Sequence, residues 1–173
     1  MTEAPLHRLF DLGELTQAGS EIAVSAGPGE LKPLAEWLDV EAVKRLSAAV
    51  TLTRLSQTRF SYAAELIADV VQSCVVTLEP IETHIVRPVA RELHLVSHLQ
   101  TQGRVHVLAP GEEDGPEEID SPRYDLCAPL LEELALAIDP YPRKQGVEFA
   151  LPAAAGEPPQ SPFAALKDLK TKG

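Results

Sequence analysis

A chain of 173 residues, 45% hydrophobic and 24% charged, can bury one core and still carry tails, so a single domain is the expectation. No run approaches the roughly 20 apolar residues needed to span a bilayer. The start, Met1-Thr2-Glu3-Ala4-Pro5, has neither the basic residues nor the apolar stretch of a secretory signal. The formal net charge of -11 works against non-specific binding to phosphate backbones, DNA included.

That charge is uneven. Residues 1–41 and 109–173 are acidic, whereas residues 42–108 carry seven bases against five acids and four of the five histidines. The segment richest in folding signals is therefore mildly basic between acidic flanks. The two cysteines, Cys74 and Cys127, lie far apart and suggest no disulfide scaffold, so a reducing cytoplasm is the expected setting.

In chain order, residues 6–15 predict a first strand and turn. Ser25-Ala26-Gly27-Pro28-Gly29 reads as a loop. Leu31, Leu34, Ala35 and Leu38 then recur at helical spacing, with Glu30 near the start, where negative charge suits the helix dipole.

Period-two alternation follows. Leu46, Ala48, Val50 and Leu52 form one set, and Phe60, Tyr62, Ala64, Leu66, Ala68 and Val70 form a second, with Gln57-Thr58 as the turn between them. Successive side chains on a strand point to opposite faces, so each set marks a strand with one buried face. A third run passes through Val75, Thr77, Ile81, Thr83 and Ile85, broken at Glu79-Pro80, and Val105 to Leu108 closes the sheet. The spacing of Val89 to Val96 does not decide between helix and strand.

Residues 109–121 hold six acids and no base, which predicts a mobile loop. Leu126, Leu130, Leu134 and Ile138 then recur every four residues, so a helix is expected at about 128–138, with Pro129 in its first turn. Asp139-Pro140-Tyr141-Pro142 ends it. Residues 143–160 read as a linker, and residues 161–173 as a tail. The expected fold is α+β: an antiparallel sheet of several long strands packed against one or two helices.

Chemistry is sparse. There is no phosphate-binding glycine loop, no serine elbow, no HExxH and no CxxC. Cys74 is a conceivable nucleophile with His84, but its neighbours Val75, Val76 and Leu78 make it a buried packing residue. Cys127, at a helix start, reads the same way. His94 and His98 are the nearest approach to a metal pair and lack further ligands. No catalytic residue, metal or cofactor is expected.

Three segments carry a resemblance. They are Cys74-Val-Val-Thr-Leu78-Glu-Pro80; Tyr124-Asp125-Leu126 followed by Leu130-Leu-Glu132-Glu-Leu134-Ala-Leu136-Ala-Ile138-Asp-Pro140-Tyr141-Pro142; and Ser161-Pro-Phe163-Ala-Ala-Leu166-Lys167-Asp-Leu169-Lys170. In this order, with an acidic stretch before the second, they resemble the landmarks of the YceD family, the large ribosomal RNA subunit accumulation proteins. Ser161 stands where that family usually has Asn, and Thr77 stands where many members have a second Cys, so a metal role in those members does not carry over. The resemblance spans roughly residues 6–170 and makes residues 1–142 a single YceD-like domain.

The resemblance implies a cytoplasmic, non-catalytic factor supporting accumulation of large-subunit RNA and ribosome biogenesis. The acidic balance favours a basic ribosomal protein, or a large-subunit precursor containing one, as partner, with no membrane involved. Phe163, Leu166, Lys167, Leu169 and Lys170 are the candidate partner-binding residues, in an amphipathic segment beyond a linker that docks on a partner or on the protein's own sheet. The alternatives are direct RNA binding through a basic sheet face built from Arg45, Arg54, Arg59, Arg87 and Arg91, and an uncharacterised hydrolase.

Overall fold

The structure, a computed structural model, describes residues 4–96 and 115–147. Its elements are β1 (Leu9–Asp11), a 3-10 turn (Leu12–Glu14), β2 (Ser20–Ser25), α1 (Pro28–Trp37), β3 (Ala42–Arg54), β4 (Arg59–Ser73), β5 (Pro80–Leu95), β6 (Glu117–Ile119), β7 (Arg123–Asp125) and α2 (Ala128–Ala137). The class is α+β. A five-stranded sheet runs β2-β3-β4-β5-β6, antiparallel except for the parallel β5–β6 pair, and β1 pairs with β7 as a separate ribbon.

The sheet follows directly from the alternation. Leu46, Ala48, Val50 and Leu52 on β3 face the same side as Phe60, Tyr62, Leu66, Ala68 and Val70 on β4, and all are buried. Leu34 of α1 and Leu130, Leu131 and Leu134 of α2 belong to the same apolar cluster, so both helices cover one face, the inner face. Tyr62 ties the layers together: its hydroxyl donates to the Leu126 carbonyl at 2.9 Å, and its ring meets Tyr124 edge-on. Burial holds both tyrosine hydroxyls above their ordinary pKa.

Several expectations need correction. The helix begins within the Ser25–Gly29 loop, because Pro28 suits the first helical turn and Glu30 closes it by accepting the Gly27 N–H at 2.7 Å. Strand β2 had no signal beyond six residues of mixed polarity, and it borrows its order from β3. Gly19 turns the chain into it at φ +79, where a Cβ would lie 2.8 Å from the Leu52 carbonyl oxygen.

Val75 and Thr77 are not in a strand. They form the turn between β4 and β5, and Pro80 begins β5 instead of breaking it. His94 lies in β5, and His98 lies outside the described residues.

Glu117–Ile119, assigned to the mobile loop, form β6 against β5, because Ile119 packs on the core and its carbonyl accepts the Val96 N–H at 2.9 Å. Residues 143–147, assigned to the linker, are held against the β4–β5 turn through Lys144. The predicted strand at 105–108, residues 109–114 and the tail lie outside the described residues.

Candidate functional site

The β4–β5 turn starts where β4 delivers Cys74 to the end of the sheet. The Cys74 N–H donates to the Glu79 carbonyl at 2.8 Å, and the Leu78 N–H donates to the Cys74 carbonyl at 2.9 Å. Closing so short a loop forces Leu78 to φ +59, the left-handed region that a Leu rarely adopts. Its side chain is nevertheless 77% exposed, so no packing offsets that strain.

The segment after α2 lies against this turn. Gln72, a buried polar side chain, donates from Nε2 to the Asp139 carbonyl at 2.7 Å. The Val75 N–H donates to the Pro142 carbonyl at 3.0 Å, and the Tyr141 N–H to Asp139 Oδ1 at 2.9 Å. The Lys144 N–H points to Cys74 Sγ at 3.5 Å, while its ammonium pairs with Glu79 at 2.9 Å. That pair raises the Lys144 pKa and lowers that of Glu79.

Cys74 is sealed from solvent by one thin layer of chain, and its sulfur is ringed by donors. The Thr77 hydroxyl contributes most, followed by the N–H groups of Lys144, Thr77 and Val76, and together they pull the thiol down to about 6. The sulfur is buried, as its apolar neighbours imply, and these donors favour its thiolate form. His84 does not serve it. That imidazole meets Asp69 at 2.6 Å on the far face of the sheet, where it and Arg45 hold the carboxyl below its usual range.

The corner therefore gathers Cys74, Leu78 and Pro80 with Pro140, Tyr141 and Pro142, two sets of landmark residues some sixty positions apart. Val75, Leu78 and Tyr141 are three large hydrophobics that it leaves exposed. Sequence reasoning missed Gln72, Glu79 and Lys144. Nothing local marks them, since their partners lie 65 to 70 residues away.

The remaining landmarks sit apart. Asp125 Oδ1 accepts the N–H groups of Arg8 and Cys127 at 2.9 and 3.0 Å, and Oδ2 meets His7 at 2.6 Å. Arg8 in turn donates to both Glu30 oxygens, which, with the Gly27 N–H as the larger cause, lowers the Glu30 pKa. This cluster fastens β1, β7 and α1 together. Leu126 is core, and Glu132 lies 3.9 Å from Arg91. Phe163, Leu166, Lys167, Leu169 and Lys170 lie outside the described residues.

The five candidate RNA-contact arginines do not share a face. Arg45 and Arg59 point outward and pair with Asp69 and Glu92. Arg54, Arg87 and Arg91 stand in register with Phe60, Leu66 and Tyr62, on the helix-bearing side. Arg54 is already engaged, donating to the Leu12 and Gly13 carbonyls at 3.0 and 3.1 Å and lying over the Phe60 ring.

Among the described residues no group of three or more His, Cys, Asp and Glu side chains is arranged to hold a metal ion, and no helix is long and apolar enough to cross a membrane. The architecture is that of an α+β domain with helices on one face of a long-stranded sheet and, at its end, a corner wrapped around the buried Cys74. No family model, no curated protein and no solved structure matches the chain.

Proposed function

We propose that the protein is a non-catalytic factor of the YceD type that supports accumulation of large ribosomal subunit RNA in the cytoplasm, acting by binding a ribosomal protein or an assembly intermediate. One observation carries the reading. The first landmark segment and the Pro140-Tyr141-Pro142 end of the second, remote in sequence, meet at a single corner, where Val75, Leu78 and Tyr141 are held exposed around a strained turn. Strain kept without packing is characteristic of surfaces maintained for recognition. The net charge of -11 suits a basic protein partner, and the division of the arginines between two faces leaves little for direct RNA contact.

The test is rescue of a deletion strain. Loss of the gene is expected to lower the ratio of large- to small-subunit RNA. The native chain should restore that ratio, and Leu78→Ala combined with Tyr141→Ala should not, while accumulating to native levels. An unchanged RNA ratio and a normal subunit profile in the deletion strain would overturn the proposal. Full rescue by the double variant would remove the corner from it.

A further inference from the structure

The inner face of the sheet is covered by α1 and α2, but no described helix packs on the outer one. The centre of that outer face is formed by Ile67 between Val86 and Ser47, Ala63 between Ala90 and Thr51, and Glu65 between Pro88 and Ala49. Val86 is 45% exposed, and Ala49, Ala63 and Ala90 are exposed as well. Low side chains, mostly apolar with Ser47 and Thr51 on the β3 side, make this a flat surface that a helix can approach closely.

Its charges are nearly all spoken for. Arg45 pairs with Asp69, Arg59 with Glu92 and Lys44 with Glu82. Glu65, in the middle of the apolar area, pairs with no cation among the described residues. The surface thus asks for an apolar element carrying a positive charge within its apolar face.

The chain itself supplies one. Twenty-six residues follow Val147, the last described residue. On a helix, Phe163, Leu166 and Leu169 share a face, and Lys170 falls between Phe163 and Leu166 with Lys167 at the border. A helix over Ser161–Lys170 would be about 15 Å long, near the span of the apolar area, and too short to persist alone in water.

The reach is sufficient. Lys144 is fixed at the Cys74 corner, where β4 ends. From Ser73 back to Ile67 along β4 is about 20 Å, and the 13 residues 148–160 can span roughly 43 Å.

From this complementarity we infer that Ser161–Lys170 docks on the outer face of its own sheet, with Phe163 and Leu166 against Ile67 and Val86, and Lys170 against Glu65. The docking goes beyond the proposed function and stands whether or not a ribosomal partner exists. A partner that engages the same tail would have to lift it and bare the sheet.

The experiment uses the full chain with a nitroxide attached through Thr171→Cys, the unsubstituted chain put through the same labelling serving as the blank for the buried Cys74 and Cys127, and methyl NMR as the readout. The label is expected to broaden the Ile67 and Val86 methyls while sparing Leu130 on the inner side, independently of protein concentration. Broadening should be lost with Phe163→Ala plus Leu166→Ala, and reduced by Glu65→Lys. Absence of broadening overturns the inference. So does broadening that fades on dilution, which would mean docking between copies, and so does broadening that the Phe163/Leu166 variant leaves intact.

Discussion

Cys74 and Cys127 are both fully covered, yet the protein treats them in opposite ways. Cys127 lies within the core cluster at the start of α2, and burial pushes its thiol from 9.0 up to about 12. Cys74 lies under a turn at the sheet's end, and the donors around its sulfur pull it from 9.0 down to about 6. Solvent exclusion alone does not set an ionisation. What surrounds the atom does: apolar side chains penalise the charge, and converging N–H and O–H groups favour it.

The difference implies opposite pH dependences. A thiol lowered on folding contributes stability that is full above its unfolded value near 9 and is lost as pH falls through about 6. A thiol raised on folding contributes stability that is full below 9 and is lost as pH rises through about 12. The Cys74 corner should therefore loosen in mild acid, while the Cys127 region should hold until strong alkali.

The largest expected effect tests the core side of this contrast. Leu130→Ala, one turn from Cys127 and fully buried, should cost about 2–5 kcal/mol in urea unfolding, because it leaves a cavity in the apolar cluster between α2 and the sheet. A loss below about 1 kcal/mol would mean that α2 is not firmly seated on the sheet.

A smaller effect separates the two thiols. Cys74→Ser should lower the urea midpoint more at pH 9 than at pH 5, since the thiolate's contribution exists only above its folded pKa. Equal losses at the two values would make Cys74 a packing residue like Cys127.

The smallest effect distinguishes the donors. Thr77→Val should raise the pH at which thiolate absorbance appears, because the Thr77 hydroxyl is the largest cause of the lowered value. Lys144→Ala should barely move it, since Lys144 serves the sulfur through its backbone N–H and its ammonium belongs to an exposed pair with Glu79. The reverse order would place the control in the lysine charge.

Much of the sheet was legible, and so was the reason it was. On β3 and β4 every second residue meets the core, so the strand and its buried side are written together. The same parity placed Arg54 with the inner set and Arg59 with the outer, a consequence the basic-face reading overlooked.

β5 was opaque for the opposite reason. Ile85, Val89 and Leu93 face inward, but Arg87 and Arg91 interrupt them on that side, with Arg91 reaching Glu132 at the edge of α2. A long side chain can leave an inner position by its tip, and the alternation then disappears from the letters. β6 was hidden by its acids, which outweighed the one Ile that anchors it.

The candidate corner lay further still from view. Cys74, Pro80 and Pro142 stood out as separate marks, and the sequence by itself determined that α2 stops before Pro142. Only the tertiary structure decided that these turns meet, that Lys144 reaches the sulfur, and that Leu78 is held out in strain. Secondary structure answers to neighbours a few residues away and leaves a period that can be counted. The donors around Cys74 Sγ include one from 70 positions downstream, and a contact at that distance has no period to leave.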